Sequence, residues 1–174
     1  MLLGISGKIG SGKDVIGEYL KDNYGFKIVK FATLIKEISA KLTNTPYDLH
    51  FSQEGKSMYL TDWGMTVREF QQRLGTDAMR EGLHKDCWVI ATLSRYVKGN
   101  KWVVTDVRFK NEVESILNRE GKIIRVERLN NPYAQSNHIS ETELDSYNFK
   151  EVVQNSGSLS DLYKKIDTLL EGQL

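Results

Sequence analysis

The chain reads as an α/β protein built on a mainly parallel sheet, and three observations predict it. Short apolar strands and amphipathic helices alternate about five times, the pattern of repeated strand–helix–strand units. The first strand, Met1 to Ile5, runs straight into Gly7-Lys8-Ile9-Gly10-Ser11-Gly12-Lys13-Asp14, and an amphipathic helix follows. Further on, the apolar strand Lys101-Trp102-Val103-Val104-Thr105-Asp106 ends in a carboxylate. With 174 residues the chain is long enough for one domain with its own core, and we read 1–174 as a single domain.

The glycine-rich stretch has the spacing of a phosphate-binding loop: Gly7, four residues, then Gly12-Lys13. Glycines let the backbone turn its N–H groups inward around an anion. The helix that starts near Gly12 adds its unpaired N–H groups and the positive end of its dipole. Lys13 supplies a charge for the β- and γ-phosphates of a nucleotide. The usual hydroxyl residue after the lysine is replaced by Asp14, a hard oxygen ligand that can reach Mg²⁺ directly or through water.

The first helix carries Val15, Ile16, Tyr19 and Leu20 on its apolar side and ends near Gly25. Phe26 to Phe31 reads as the second strand, and Thr33 as the cap of a helix with Leu34, Ile35, Ile38 and Leu42 on one face. Tyr47 to Trp63 is irregular and polar, and reads as loop. Helical spacing returns from Thr66 to Leu83, with Val67, Phe70, Leu74 and Ala78 toward the core. On another face Arg68, Gln72, Thr76 and Arg80 make a polar stripe at i+4 steps, interrupted if Gly75 breaks the helix. Such a stripe is either a solvated face or a set of groups for an anionic ligand. Trp88, Val89, Leu93 and Tyr96 carry the next helix.

The strand ending in Asp106 has the form of a Walker B segment, whose carboxylate holds Mg²⁺. Arg108 follows at the strand's carboxyl end, where open parallel sheets keep their ligand crevice; its alternative is a salt bridge with Glu112. A helix over Phe109 to Leu117 leads to the strand Lys122 to Arg128. Leu129 to Asn137 is turn-rich. Ser140 and Glu143 then stand at capping-box spacing, so His138 and Glu141 can be plain helix-start chemistry. Phe149 to Gln154 reads as the last strand, and Leu159 to Leu170 as the last helix.

Bulk properties exclude several classes. A net charge of +1 gives no electrostatic case for nucleic acid or an anionic membrane as a partner. The lone Cys87 cannot form an internal disulfide and fits a reducing cytoplasm; with three scattered histidines it makes no zinc site. No apolar run approaches the ~20 residues of a membrane span.

With these residues placed, the sequence resembles the bacteriophage-type deoxynucleoside monophosphate kinases. The resemblance rests on Gly12-Lys13-Asp14, on Arg68 to Asp77 with Arg80 and Asp86-Cys87-Trp88, on Thr105 to Glu112, and on His138-Ile139-Ser140-Glu141. It implies a three-layer P-loop kinase fold, a five-stranded parallel sheet of order 2-3-1-4-5 with helices on both faces. It further implies an acceptor region at about 40–90 and a short lid at about 129–140. Gly7, Lys8, Gly10, Ser11, Gly12, Lys13 and Asp14 would hold ATP, with Asp14 and Asp106 on Mg²⁺. Arg68, Gln72, Thr76, Arg80, Trp88 and Arg108, with His138 and Glu141, would serve the deoxynucleoside monophosphate. Lys13, Arg108 and Arg128 would act on the transferred group. A bacterial cytoplasm and a phage or prophage source follow from the same resemblance, and a homodimer stays open.

Two other readings stand beside it. Kinases of phosphomevalonate or dephospho-coenzyme A use similar parts on another phosphorylated acceptor. A partitioning-type ATPase switch carries a lysine second in its loop, as Lys8 is here, although Ile9 and Asp14 depart from that signature.

Overall fold

The computed structural model describes residues 1–129, 131 and 138–171. In chain order the elements begin with β1 (Leu2–Ser6), α1 (Lys13–Tyr24), β2 (Lys27–Val29), α2 (Ala32–Thr43) and α3 (Gln53–Ser57). Next come β3 (Tyr59–Leu60), β4 (Met65–Thr66), α4 (Val67–Gln72), α5 (Cys87–Leu93), β5 (Trp102–Val107) and α6 (Lys110–Leu117). The chain closes with β6 (Lys122–Glu127), α7 (Ile139–Thr142), β7 (Glu151–Gln154) and α8 (Leu159–Leu170). They form two compact units, one of Met1–Lys30 with Arg95–Leu174, the other of Phe31–Ser94.

The first unit is built on a five-stranded sheet of order β2-β5-β1-β6-β7, all neighbours parallel. Counting these five strands alone, the order is 2-3-1-4-5, as expected. β1 is buried along its whole length, which is why it reads as an unbroken apolar run. Leu3 and Ile5 pack with Ile16 and Leu20 of α1 and Leu162, Ile166 and Leu170 of α8. Each such side chain contributes roughly 1.5–3 kcal/mol of burial. Gly4 points to the opposite face, where a Cβ would meet Ile123 Cδ1 at 2.5 Å and Ile116 Cδ1, on α6, at 2.8 Å. Helices therefore cover both faces. α1 stops at Gly25, whose left-handed φ of 71° turns its N–H onto the carbonyls of Leu20 and Lys21. Its Gly17 lets the helix close on β5, since a Cβ there would lie 2.5 Å from Thr105 Cγ2.

The second unit departs from the sequence expectation in three places. The stretch read as loop is regular: Tyr47–His50 make a 3₁₀ turn, α3 follows, and β3 pairs antiparallel with β4. Thr33 is not the N-cap but lies inside α2, which begins at Ala32 after Phe31. The helix expected over Thr66 to Leu83 starts with a capping box between Thr66 and Glu69, but is α-helical only to Gln72. Arg73–Glu81 winds as a π-helix. Wider turns change which residues share a face, so Val67 and Phe70 are buried while Ala78 is exposed. Gly75 lies in the wide turns with Ile35 Cδ1 2.9 Å from where a Cβ would stand. Its carbonyl accepts a 2.8 Å hydrogen bond from the indole N–H of Trp88. Fully buried His50 accepts at Nδ1 from Gln71 and meets the Thr45 hydroxyl at Nε2, 2.7 Å away.

Candidate active site

The loop between β1 and α1 closes because its glycines fit where other residues do not. A Cβ on Gly7 would lie 2.5 Å from the Val126 carbonyl oxygen. Gly12, at a φ of 105°, caps α1, and a Cβ there would meet Asn155 Nδ2 at 2.6 Å. Within the loop the Lys13 ammonium donates to the Lys8 carbonyl at 2.7 Å. Lys13 is buried, and that burial, with the neighbouring charge of Arg108, pushes its pKa down to about 8. Asp14 and Asp106 pull the other way, and Arg125 adds to the lowering. The Ser11 hydroxyl is buried and has no hydrogen-bond partner among the described residues. A buried lysine aimed at a carbonyl, an unsatisfied hydroxyl and an open helix N-terminus are the fittings of a polyanion site.

Asp14 stands in the first turn of α1, 2.6 Å from the Lys30 ammonium, and Thr105 Oγ1 donates to it at 3.4 Å. Desolvation works to raise its pKa, but the Lys30 and Lys13 charges prevail and hold the carboxyl below its ordinary range. Asp106 is not the last residue of β5, which continues to Val107. The pairing register of β1 with β5 shifts between Gly4 and Ser6, so β5 carries an extra residue beside Thr105 and Asp106. Two carboxylates with a threonine hydroxyl fit Mg²⁺, which takes one or two protein carboxylates and leaves room for water and phosphate oxygens.

Arg108 follows β5. Glu112 is taken up by the backbone, accepting from the N–H groups of Arg108 at 2.7 Å and Phe109 at 3.1 Å. The guanidinium instead ion-pairs with Glu141 and donates to the Ser140 carbonyl at 3.3 Å. His138, not Ser140, caps α7: its Nδ1 accepts from the Ser140 N–H. Glu143 is not part of that cap and accepts from the Lys110 N–H at 2.8 Å. The segment His138-Ile139-Ser140-Glu141 is thus what holds Arg108 in place. The Lys8 ammonium is also committed, to Asp145 at 2.6 Å and to the Glu141 carbonyl. Arg128 is exposed and donates to the Gly10 carbonyl at 3.3 Å.

A cavity of about 640 Å³ opens beside the loop, lined by Gly10, Gly12, Lys13, Asp14, Val15, Arg128, Leu129, Asn155, Ser156, Gly157, Leu159 and Leu162. Val15, read on the apolar side of the first helix, is one of its walls. Asn155 to Gly157 went unnoticed in the sequence, yet Asn155 holds the loop by donating to the Ser11 carbonyl at 2.9 Å. Their signal was present: a polar run after the last strand sits at the carboxyl end of a parallel sheet. Of the expected lid, residues 130 and 132–137 lie outside the described residues.

The remaining expected residues belong to the second unit. Arg68 donates to Gln53 Oε1 at 2.7 Å, and Arg80 to the Lys85 carbonyl at 3.3 Å. Arg68, Gln72 and Arg80 are half-buried and Thr76 is buried. Trp88 is buried and fixed on Gly75, a packing role.

Comparison with known proteins shows the family and the fold. Residues 39–166 match the family model described as deoxynucleotide monophosphate kinase. A protein of Acanthamoeba polyphaga mimivirus, whose name carries the same activity, is 30% identical over 95% of this chain and 94% of its own length. The deoxynucleotide monophosphate kinase of Escherichia phage RB69 is 30% identical over 60% of this chain, which spans 45% of that longer protein. In fold, the chain is similar to shikimate kinase from Aquifex aeolicus, with a TM-score of 0.51 at 15% identity, covering 99% of this chain and 97% of the other. The parallel sheet with its glycine loop, the match over most of the chain and the full-length viral relative lead to one conclusion: the chain belongs to the deoxynucleotide monophosphate kinase family, transferases of the P-loop kinase fold.

Proposed function

We propose that the protein transfers the γ-phosphoryl group of Mg-ATP to a deoxynucleoside monophosphate, giving ADP and the deoxynucleoside diphosphate. The observation that carries this is the buried Lys13 ammonium resting on the Lys8 carbonyl beside the unsatisfied Ser11 hydroxyl, in a chain of this family. The backbone from Gly10 to Lys13 would hold the donor phosphates, with Lys13 leaving the Lys8 carbonyl for the β- and γ-oxygens. The cavity walled by Arg128, Leu129, Asn155 and Leu159 would take the donor's base and ribose.

 The cavity is lined in the same place by Gly157 and Leu162. Asp14 and Asp106, with Thr105 beside them, would hold Mg²⁺, which when bound offsets charge on the β- and γ-phosphates.

The attacking group is already an anionic phosphate oxygen, so no side chain has to remove a proton. Catalysis is positioning and neutralisation. Arg108 would exchange Glu141 for the acceptor phosphate or the transferred group, and Arg128 would reach the donor from its place on the Gly10 carbonyl. Residues 40–90 would supply the acceptor contacts through Arg68, Gln72, Thr76 and Arg80, with Trp88 packed beneath them. The commitment of Lys8 to Asp145 and Glu141 of its own chain speaks against the partitioning-type switch, in which that lysine reaches into a partner. Among the described residues no helix is long and apolar enough to cross a membrane, and the phage relative supports action in a bacterial cytoplasm.

The test is ADP release from Mg-ATP against a panel of deoxynucleoside and ribonucleoside monophosphates, phosphomevalonate, dephospho-coenzyme A and no acceptor. Turnover confined to one or two deoxynucleoside monophosphates is the expected result. Turnover with phosphomevalonate or dephospho-coenzyme A, or equal turnover without acceptor, overturns the proposal.

A further inference from the structure

The phosphate loop is braced from outside by residues that none of the catalytic roles above requires. Asp145 lies just beyond α7 and is half-exposed, yet both its carboxylate oxygens are engaged. The Lys8 ammonium reaches Oδ1 at 2.6 Å and Oδ2 at 2.7 Å, and Arg125 Nη2 stands 3.7 Å from Oδ1. Arg125 is nearly buried in β6, with Glu127 Oε1 4.0 Å from its Nε and its guanidinium carbon 5.4 Å from the centre of the Phe149 ring. Its Nη1 donates to Ser6 Oγ at 3.1 Å, and Ser6 is its register partner on β1, one residue before the loop begins. One carboxylate therefore sits between two cations that grip successive parts of the strand-to-loop exit.

The residue that Asp145 holds most tightly is also the one on which Lys13 rests. The Lys8 carbonyl accepts from the Lys13 ammonium at 2.7 Å and from the Ser11 N–H at 3.2 Å. Fixing the Lys8 side chain fixes the peptide that aims Lys13. We propose that Asp145 is a positioning residue of the phosphate loop, acting through Lys8 and Arg125 to hold the Lys8 carbonyl where it presents the Lys13 ammonium to the donor phosphates. This rests on the donor-site reading of the same loop. A carboxylate is required for the task, because a neutral amide cannot balance two cations at once. A residue whose only work was to pack the turn after α7 would tolerate an isosteric amide.

A double-mutant cycle on nucleotide affinity tests this without transfer activity. Calorimetry with Mg²⁺ and the non-hydrolysable analogue carrying an imido bridge between its β- and γ-phosphates is run on the wild type, Asp145→Asn, Lys8→Met and the double variant. Each single change is expected to weaken binding about tenfold, and the double variant no further than the weaker single. Asp145→Glu, which keeps the charge, is expected to recover most of the loss. Wild-type affinity in Asp145→Asn overturns the proposal, as does a double-variant loss equal to the product of the singles, or an Asp145→Glu variant no better than Asp145→Asn. Thermal unfolding of each variant separates a lost brace from a lost fold; a drop in midpoint that tracks the affinity loss assigns Asp145 to stability and also overturns it. A wild type that binds no analogue overturns the donor-site reading as well, and the wild-type titration alone reveals it.

Discussion

In the proposed function the phosphate loop and the polar stripe of the second unit would each meet an anionic ligand, by different means. In the loop the backbone is fixed by glycines and each cation is held by a named partner: Lys13 on a carbonyl, Lys8 on Asp145, Arg108 on Glu141. In the stripe the side chains ride on a helix that changes its winding at Arg73. The loop turns on its own glycines and is tied by single distant contacts from Asp145 and Asn155, whereas the stripe depends on packing around Gly75, Ile35 and Trp88. The difference teaches where function is robust: loss of one group should disable the loop outright, while damage to the stripe should be graded.

The largest expected effect lies in the loop. Lys13→Met should lower phosphoryl transfer by roughly 10³-fold or more, because the charge on the β- and γ-phosphates loses its mobile partner. A variant with a tenth of the wild-type rate would break the comparison at its first term. Next, Arg108→Ala should lose on the order of 10²- to 10⁴-fold in kcat/KM. Steady-state kinetics close to wild type would return Arg108 to a purely structural salt bridge with Glu141. In the second unit, Trp88→Phe removes the indole hydrogen bond to Gly75 and part of a buried ring, at about 1–3 kcal/mol of stability in urea unfolding. The acceptor KM should rise several-fold while the donor KM holds; an unchanged acceptor KM would mean the π-wound segment does not shape that site.

The smallest effect is in pH. Lys13 has its pKa lowered to about 8 in the free protein, and phosphates favour its charged form. Donor affinity should therefore be full below about pH 8 and fall as the pH rises above it, with proton uptake on binding in that range. Titrations at several pH values check this, and a flat profile through pH 9 would show that Lys13 keeps its proton without the ligand.

How much of this was legible follows the same division. Gly7 to Lys13 announced themselves because a phosphate loop is a contiguous run, and the strand order followed from the family that this run and the Asp106–Arg108 segment identify. Arg108 was found, but its partner was not: Glu112 is close in sequence, whereas Glu141 is brought in by tertiary folding. The residues Arg68, Gln72, Thr76 and Arg80 stood out through i+4 spacing, which cannot distinguish α- from π-winding, so Ala78 was assigned to the core and is exposed. Asn155 showed only as part of a polar run after the last strand, and Asp145 carried no pattern at all. Each matters through a single contact with the loop, and single contacts across more than a hundred residues leave no periodicity to read.

The pairing of Arg108 with Glu141 and of Lys8 with Asp145 has a consequence beyond catalysis. A cluster of bare cations at a sheet end would attract any polyanion, and a cell is crowded with nucleic acid. Long polyanions bind by releasing the mobile counter-ions of their own phosphates to cationic side chains. Here those side chains already carry counter-ions that are covalently part of the chain. A strand of DNA would gain little by displacing them, whereas a small ligand that also filled the shaped cavity would recover the exchange. Paired in this way, the cations would offer long polyanions less than their number suggests.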